Sequence, residues 1–389
     1  MKTVFVGLSG GVDSAVSAAL LKKAGHEVVG VFIRTWHPDF LECNEEEERR
    51  DAMRVAAHLH IPFLIFDLEK IYKKEVADYM ISEYRAGRTP NPDVMCNKEL
   101  KFGAFLKKAL AMGADFVATG HYAGVAFAQD FLQSNVNRPQ RQLRLHKTEA
   151  KKAFLNGDVA KQDIPEKKLF LLKGKDPAKD QSYFLWTLRQ EQISKILFPA
   201  GHLKKTEVRK LARKFKLPVA EKKDSQGICF LGPVDLKEFL KHYIKEKKGE
   251  VLNEKREVIG HHNGAVFHTL GERHGFVVTE KGPNDGPYYI VAKDMKKNTL
   301  TVSQNRTKKH SGILKNTRIE KTNWISEAPK TGKRYTAQIR YHGEFLPCKV
   351  KCSTPSVAQV IFAKPVMVAP GQSIVVYDGD VCLGGGVVK

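Results

Sequence analysis

The chain has 389 residues, too many for one small core, and should divide into two or three domains. Its 65 Lys and Arg against 43 Asp and Glu leave a net charge of +22, which favours a polyanionic partner over a small neutral substrate. No run nears the roughly 18 apolar residues of a membrane span, and a strand pattern begins at once with no leader peptide, so a cytoplasmic protein that engages no membrane is expected.

Taken in chain order, the first apolar run is Val4 to Val6. It is followed by Gly7-Leu8-Ser9-Gly10-Gly11-Val12-Asp13-Ser14 and a helical pattern through Ala15, Val16, Ala19, Leu20 and Leu21. Strand, glycine turn and helix together predict a site for anionic oxygens, because backbone N–H groups and the positive helix end converge there. Ser9 and Ser14 add hydroxyls. No lysine follows Gly11 and no Gly-x-Gly precedes the helix, which excludes the commoner phosphate loop and the dinucleotide fingerprint. What remains, Ser9 to Ser14, resembles the pyrophosphate loop of ATP pyrophosphatases, enzymes that split ATP between its α and β phosphates. The alternative is an ordinary turn whose residues are small for packing.

Strand patterns recur at Val28 to Ile33, Phe63 to Phe66 and Phe116 to Ala118, with helical patterns between them, one from about Glu45. The alternation predicts an α/β fold with a doubly wound parallel sheet, of the adenine nucleotide alpha hydrolase type, with ligands beyond the carboxyl ends of its strands. The loops after Val6, Ile33 and Ala118, the last reading Thr119-Gly120-His121-Tyr122, then converge on one crevice. From Gly124 to about Lys179 the chain is rich in Lys, Arg and Gln with few periodic apolar positions. It reads as a long insertion, either a solvated basic segment or an RNA-binding one. A basic amphipathic helix is expected over Thr206 to Leu217, then a Gly-containing loop over Lys222 to Gly232. Beyond Lys248 come short β-rich runs: Tyr288 to Val291, Thr299 to Val302, Arg334 to Arg340, Val357 to Phe362 and Ser373 to Tyr377. The expected division is a catalytic domain over 1–210 with the insertion at about 124–178, a small middle domain over 211–305 and a C-terminal β-barrel over 306–389.

Six cysteines include no Cys-x-x-Cys, so neither a disulfide framework nor a zinc site is indicated. Cys96 follows Thr89-Pro-Asn-Pro-Asp-Val-Met95, with a helix expected from about Lys98. A thiol at that helix start, near Lys98 and Lys101, is favoured as thiolate. Cys229 sits in a basic loop after Lys222 and Lys223. Each alone reads equally well as a small buried hydrophobe. Two such thiols beside a pyrophosphate loop suit sulfur transfer, in which one carries a sulfane sulfur as a persulfide and the second attacks it. Cys348, Cys352 and Cys382 read as packing residues, and Cys43 lies in a polar loop with no evident task.

Further segments stand in order along nearly the whole chain: Gly87-Arg-Thr-Pro-Asn-Pro-Asp93, Cys96-Asn-Lys98, Ala118-Thr-Gly-His-Tyr122, Lys179-Asp-Gln-Ser-Tyr-Phe-Leu185 and Gly227-Ile-Cys-Phe230. His268-Thr-Leu-Gly271, Arg340-Tyr341, Pro370-Gly-Gln-Ser373 and Cys382-Leu-Gly-Gly-Gly386 complete them. With the Gly7 to Ser14 loop, this set resembles bacterial tRNA-specific 2-thiouridylases. The resemblance implies that Gly7 to Ser14 bind ATP, with Gly120 lining the pocket and Ile33, commonly Met in relatives, flanking the adenine. It implies that Asn91, Pro92 and Asp93 meet the target uridine, that Cys96 attacks and that Cys229 carries the persulfide. His121, Lys179, Asp180, Gln181, Arg340, Tyr341 and Gln372 would contact tRNA. The implied target is the wobble uridine (U34) of glutamate, lysine and glutamine tRNAs, and the implied partner a persulfide sulfur-donor protein. The segment from Gly124 to Lys179 is longer than the family pattern.

The C2 oxygen of uracil leaves poorly, and adenylation by ATP makes it leave as AMP. Mg2+ is implied, screening the triphosphate beside Asp13. Attack by Cys96 on the sulfane linkage then leaves a Cys96 to Cys229 disulfide for an outside reductant. Asp93 is either a general acid or base at the uridine or an Asx-turn residue after Pro92. A monomer is the expected state. The competing readings are a small-molecule ATP pyrophosphatase ligase, which has no need of the thiol pair, and a non-catalytic RNA-binding protein, which leaves the loop without purpose.

Overall fold

The computed structural model describes the chain outside residues 42–43, 128–167, 225–226, 233, 280–285 and 306–312. Cys43 and most of the basic segment lie outside the described residues. Among the described residues the strands form three sheets.

The first sheet joins β1 (Thr3–Gly7), β2 (Glu27–Arg34), β3 (Phe63–Asp67), β4 (Phe116–Ala118) and β7 (Ile196–Leu197), all parallel, in the order β3-β2-β1-β4-β7. Val4 and Val6 face one side, in a core shared with Val12 and Val16 of the helix Val12–Lys23 and with Val208 and Ala212 of the helix Lys205–Lys214. Phe5 faces the other side, in a core with Phe66 and Phe105. Both faces are covered, which is why β1 reads as an unbroken apolar run. The chain leaves β1 toward β2 on one side and returns to β4 on the other, so the crevice between the ends of β1 and β4 is the topological switch point.

A helical segment over 92–111 covers the Phe5 side. It begins at Pro92, not near Lys98 as expected: the Asn91 side chain accepts the Val94 N–H at 3.1 Å, and Pro92 takes the first turn, where its missing N–H costs nothing. Over Cys96–Phe105 the helix widens to π geometry, with i→i+5 hydrogen bonding.

The middle sheet joins β8 (Gly249–Leu252), β9 (Val258–His262), β10 (Phe276–Val278), β11 (Tyr289–Asp294) and β12 (Thr299–Ser303) around Val251, Ile259, Ile290, Leu300 and Val302. The C-terminal sheet runs β13 (Ile313–Trp324), β16 (Val357–Met367), β15 (Leu346–Thr354), β14 (Tyr335–Gln338), β17 (Ser373–Asp378), β18 (Val381–Val388) and closes by pairing β13 with β18. Closure depends on the glycines of β18: a Cβ on Gly384 would lie 2.0 Å from the Asn323 carbonyl oxygen, and one on Gly385 would lie 2.3 Å from that of Ile374.

The ends of the basic segment are ordered differently from a simple insertion. Ala123–Phe127 (β5) and Leu169–Lys173 (β6) pair with each other, and β6 extends the barrel sheet by pairing with β18, Val381 opposite Leu172. The catalytic and C-terminal parts of the chain thus share a sheet. Further ties are the Thr89 N–H to the Pro370 carbonyl at 2.8 Å, the Tyr183 hydroxyl to the Ser373 carbonyl at 3.0 Å and Trp186 Nε1 to Ser373 Oγ at 3.2 Å.

Candidate active site

The loop between β1 and its helix has the shape of an anion cradle. Gly10 has φ +71°, a conformation that disfavours a side chain, and a Cβ there would meet the Glu48 carbonyl oxygen at 2.5 Å. Ser14 folds back over the turn: its hydroxyl donates to the Gly11 carbonyl at 3.0 Å and its oxygen accepts the Ser9 N–H at 3.3 Å. Gly120, after β4, lies so close that a Cβ would sit 2.7 Å from the Ser14 nitrogen. Two loops that the sequence placed at one crevice therefore touch. Ile33 is the penultimate residue of β2, at the same edge, and is buried.

Asp13 does not stand as a bare carboxylate. It accepts the Tyr122 hydroxyl at 2.7 Å and Lys205 Nζ at 2.7 and 2.8 Å. Lys205 also pairs with Asp224 at 2.8 Å, as do Lys179 at 2.8 Å and Arg209 at 2.6 Å. Burial opposes the charge of Asp224, yet the lysines hold its pKa well below the carboxylate range. A lysine thus reaches the loop from the start of another helix. Nothing local at Lys205 in the sequence marks it.

The second focus is the pair of thiols. Cys96 and Cys229, 133 positions apart, place their sulfur atoms 3.3 Å apart as free thiols. The Tyr72 hydroxyl donates to the Cys229 carbonyl at 2.7 Å, His37 Nε2 lies 2.7 Å from that of Phe230, and Asp93 Oδ1 accepts the Cys229 N–H at 3.0 Å. The two sulfurs differ in how readily they ionise. Cys96 sits in the second turn of its helix with no exposed surface, and burial pushes its pKa well up, against the expectation of a thiolate at a helix start. The hydrogen bond from Cys96, aided by Lys101, lowers the pKa of Cys229 against the cost of burial. Burial raises the pKa of Asp93, offset in part by the Cys229 N–H. The side chain that caps the helix start is that of Asn91, not Asp93.

The remaining candidates are placed unevenly. His121 is buried against Phe102 and Phe198, its Nδ1 2.7 Å from the Thr119 hydroxyl, and burial drives its pKa well down, so it is neutral. It joins the loop after β4 to the thiol helix. Asp180 accepts the Gly174 and Ser182 N–H groups, and Gln181 accepts the Tyr122 N–H at 3.0 Å; both brace the loop. Gln372 is half-buried in the turn before β17. Arg340 is exposed in the turn after β14, and the ring of Tyr341 lies 4.3 Å from that of Phe184. Asn91 and Pro92 are half-buried at the start of the thiol helix.

Three family descriptions match consecutive parts of the chain: a tRNA methyl transferase HUP domain over 2–233, a tRNA methyl transferase PRC-barrel domain over 237–304 and an aminomethyltransferase beta-barrel domain over 314–388. The tRNA-specific 2-thiouridylase MnmA of Geobacillus thermodenitrificans is 40% identical over 391 residues, covering 99% of this chain and 94% of that one. The enzyme of the same name from Listeria monocytogenes is 41% identical over 390 residues, with the same coverage. A solved 4-thiouridine synthetase–RNA complex with bound ATP is similar at 19% identity and a TM-score of 0.32, over 60% of this chain and 45% of that one. On the identity to its relatives over nearly its whole length, and on the domain matches in the same order, the chain belongs to the tRNA-specific 2-thiouridylase family.

Proposed function

We propose that the chain uses ATP to adenylate the C2 oxygen of the wobble uridine (U34) of a tRNA and replaces that oxygen by sulfur carried on Cys229. The observation that carries this reading is the 3.3 Å approach of Cys96 and Cys229, built against the same loop, Thr119 to Tyr122, that backs the anion cradle. Gly7 to Ser14 receive the phosphates, with Gly120 behind them and the backbone of Ile33 beside the adenine. Lys205 exchanges Asp13 for a phosphate oxygen. Asp13, once released from Lys205, is the carboxylate beside the loop that would hold Mg2+, which would screen the charge of the triphosphate.

The uridine O2 attacks the α phosphorus, and pyrophosphate leaves. The terminal sulfur of the Cys229 persulfide then bonds to C2, and the C2–O bond breaks with AMP leaving. Cys96 attacks Cys229 Sγ, breaking the sulfane bond; its electron pair stays on the sulfur at C2, which becomes 2-thiouridine. The Cys96–Cys229 disulfide that remains takes two electrons from an external thiol reductant. Asp93 holds the Cys229 loop and serves as the acid–base group beside a uridine splayed out of its stack. Arg340 and Tyr341 grip the anticodon arm. A persulfide-bearing donor protein reloads Cys229, and the enzyme acts as a cytoplasmic monomer.

The test is whether tRNA stimulates release of AMP and pyrophosphate from ATP. Stimulation by tRNA with formation of 2-thiouridine supports the reading. Turnover of ATP with a small carboxylate and none with tRNA overturns it.

A further inference from the structure

The two thiols are chemically alike and lie in one pocket, yet the reaction needs one to be loaded first while the other waits. A buried sulfur anion needs a cation beside it. Lys101 is half-buried, has no carboxylate within ion-pair distance among the described residues, and holds its Nζ 5.6 Å from the ring centre of Phe230, the residue after Cys229. Five residues along a regular helix are about 1.4 turns, which would turn Lys101 away from Cys96. The π-widened stretch Cys96–Phe105 makes five residues close to one full turn and brings the lysine round to the thiol side. The irregular stretch includes all the residues that join Cys96 to Lys101.

We propose that Lys101 is the cation that holds the Cys229 sulfur as an anion, first as thiolate and then as the loaded persulfide, and so decides which thiol is the carrier. This rests on Cys229 being the sulfur carrier. The groups facing the pair are Asp93 from the start of the same helix, Tyr72 from the helical segment over 69–85, His37 at the Phe230 carbonyl, and His121, which is neutral. Among the described residues, none of these groups but Lys101 brings a fixed positive charge. Burial disfavours the ammonium, but the sulfurs and Asp93 outweigh it and hold the lysine charged. Cys96, as the protonated partner, donates its S–H to the anion and stays unreactive until Cys229 is spent.

The experiment is the pH dependence of iodoacetamide alkylation at Cys229, read by peptide mass spectrometry in the full chain carrying Cys96→Ser. Lys101→Met should move the alkylation midpoint upward and slow the reaction at neutral pH by roughly tenfold or more, with equal rates at high pH. Lys101→Arg should keep most of the original midpoint, which a lysine serving only to pack on Phe230 does not require. Lys101→Gln replaces Lys101→Met if circular dichroism shows that the latter is unfolded. An unchanged midpoint in a folded neutral variant overturns the assignment. The carrier reading fails separately, if Cys229→Ser still thiolates tRNA.

Discussion

Lys205 donates to both carboxylate oxygens of Asp13 across 192 positions of sequence, so the charge at the phosphate loop is set by a residue from the far end of the catalytic sheet. Lys205→Met should lower tRNA-dependent AMP formation by roughly 10²-fold, the scale on which single preorganised charge-stabilising groups act. Asp13→Ala should remove it as well, without unfolding. Pyrophosphate release measures both. A normal rate in Lys205→Met would leave the lysine as a counterion for Asp13 and nothing more.

Cys96→Ser and Cys229→Ser should each abolish 2-thiouridine formation while leaving tRNA binding and adenylation nearly intact. Cys348→Ser should retain the chemistry, since that thiol lies in the barrel core opposite Phe362. Nucleoside analysis of the product tRNA, beside pyrophosphate release, separates sulfur transfer from activation.

Glycine at 385 is a packing requirement. Gly385→Ala places a methyl against the Ile374 carbonyl and should cost roughly 1–3 kcal/mol, seen as a lower unfolding midpoint in denaturant. Gly379→Ala, with no atom within 4 Å of the added Cβ, controls for backbone strain alone, because its φ is positive.

Glu272 ties the middle domain together: Lys237 lies 2.9 Å from one carboxylate oxygen, and the Thr269 N–H donates to the other at 2.9 Å. Burial opposes its charge, but His268, Lys237 and Thr269 prevail and bring its pKa down from 4.5 to about 2. A carboxylate depressed on folding stabilises above its unfolded pKa, and that stability is lost as pH falls from about 4.5 toward 2. Its share is about 3 kcal/mol. Glu272→Gln should therefore flatten the acid limb of the stability curve in that window; an unaltered limb would assign acid lability elsewhere.

Arg340→Ala should weaken tRNA binding and reduce its dependence on salt, because a phosphate with no guanidinium against it keeps its own counterion and releases none on binding. Filter binding at two salt concentrations reads both quantities. If neither moves, recognition lies away from the turn after β14.

The catalytic sheet was legible because each element declares itself locally: Val4 to Val6 are buried on both faces, and Gly10 and Gly11 stand where a turn must meet anions. The thiol helix was misplaced although a signal was present, since Asn91 followed by Pro92 is a cap and a first turn. A helix start set too late put Cys96 at its end and made it a thiolate. β13 stayed hidden because its twelve residues alternate weakly, and β18 because three glycines lower strand propensity where close packing demands them. Lys205 carries no local mark, because it reaches Asp13 across 192 positions; Lys101 was legible as a neighbour of the thiol loop, but the change of helix pitch between it and Cys96 was not.

The pairing of β6 with β18 sets an order on synthesis. β18 follows β6 by about 200 positions in the chain, yet it supplies the edge on which β5 and β6 of the catalytic half are laid. Domains near the amino terminus ordinarily fold while the rest is still being translated. Here the early half leaves the ribosome with the hairpin edge open and with Tyr183 and Trp186 lacking their Ser373 partners. The loop that braces Tyr122 gains its Ser373 contacts only once β17 has emerged, so the catalytic half lacks that support for much of synthesis.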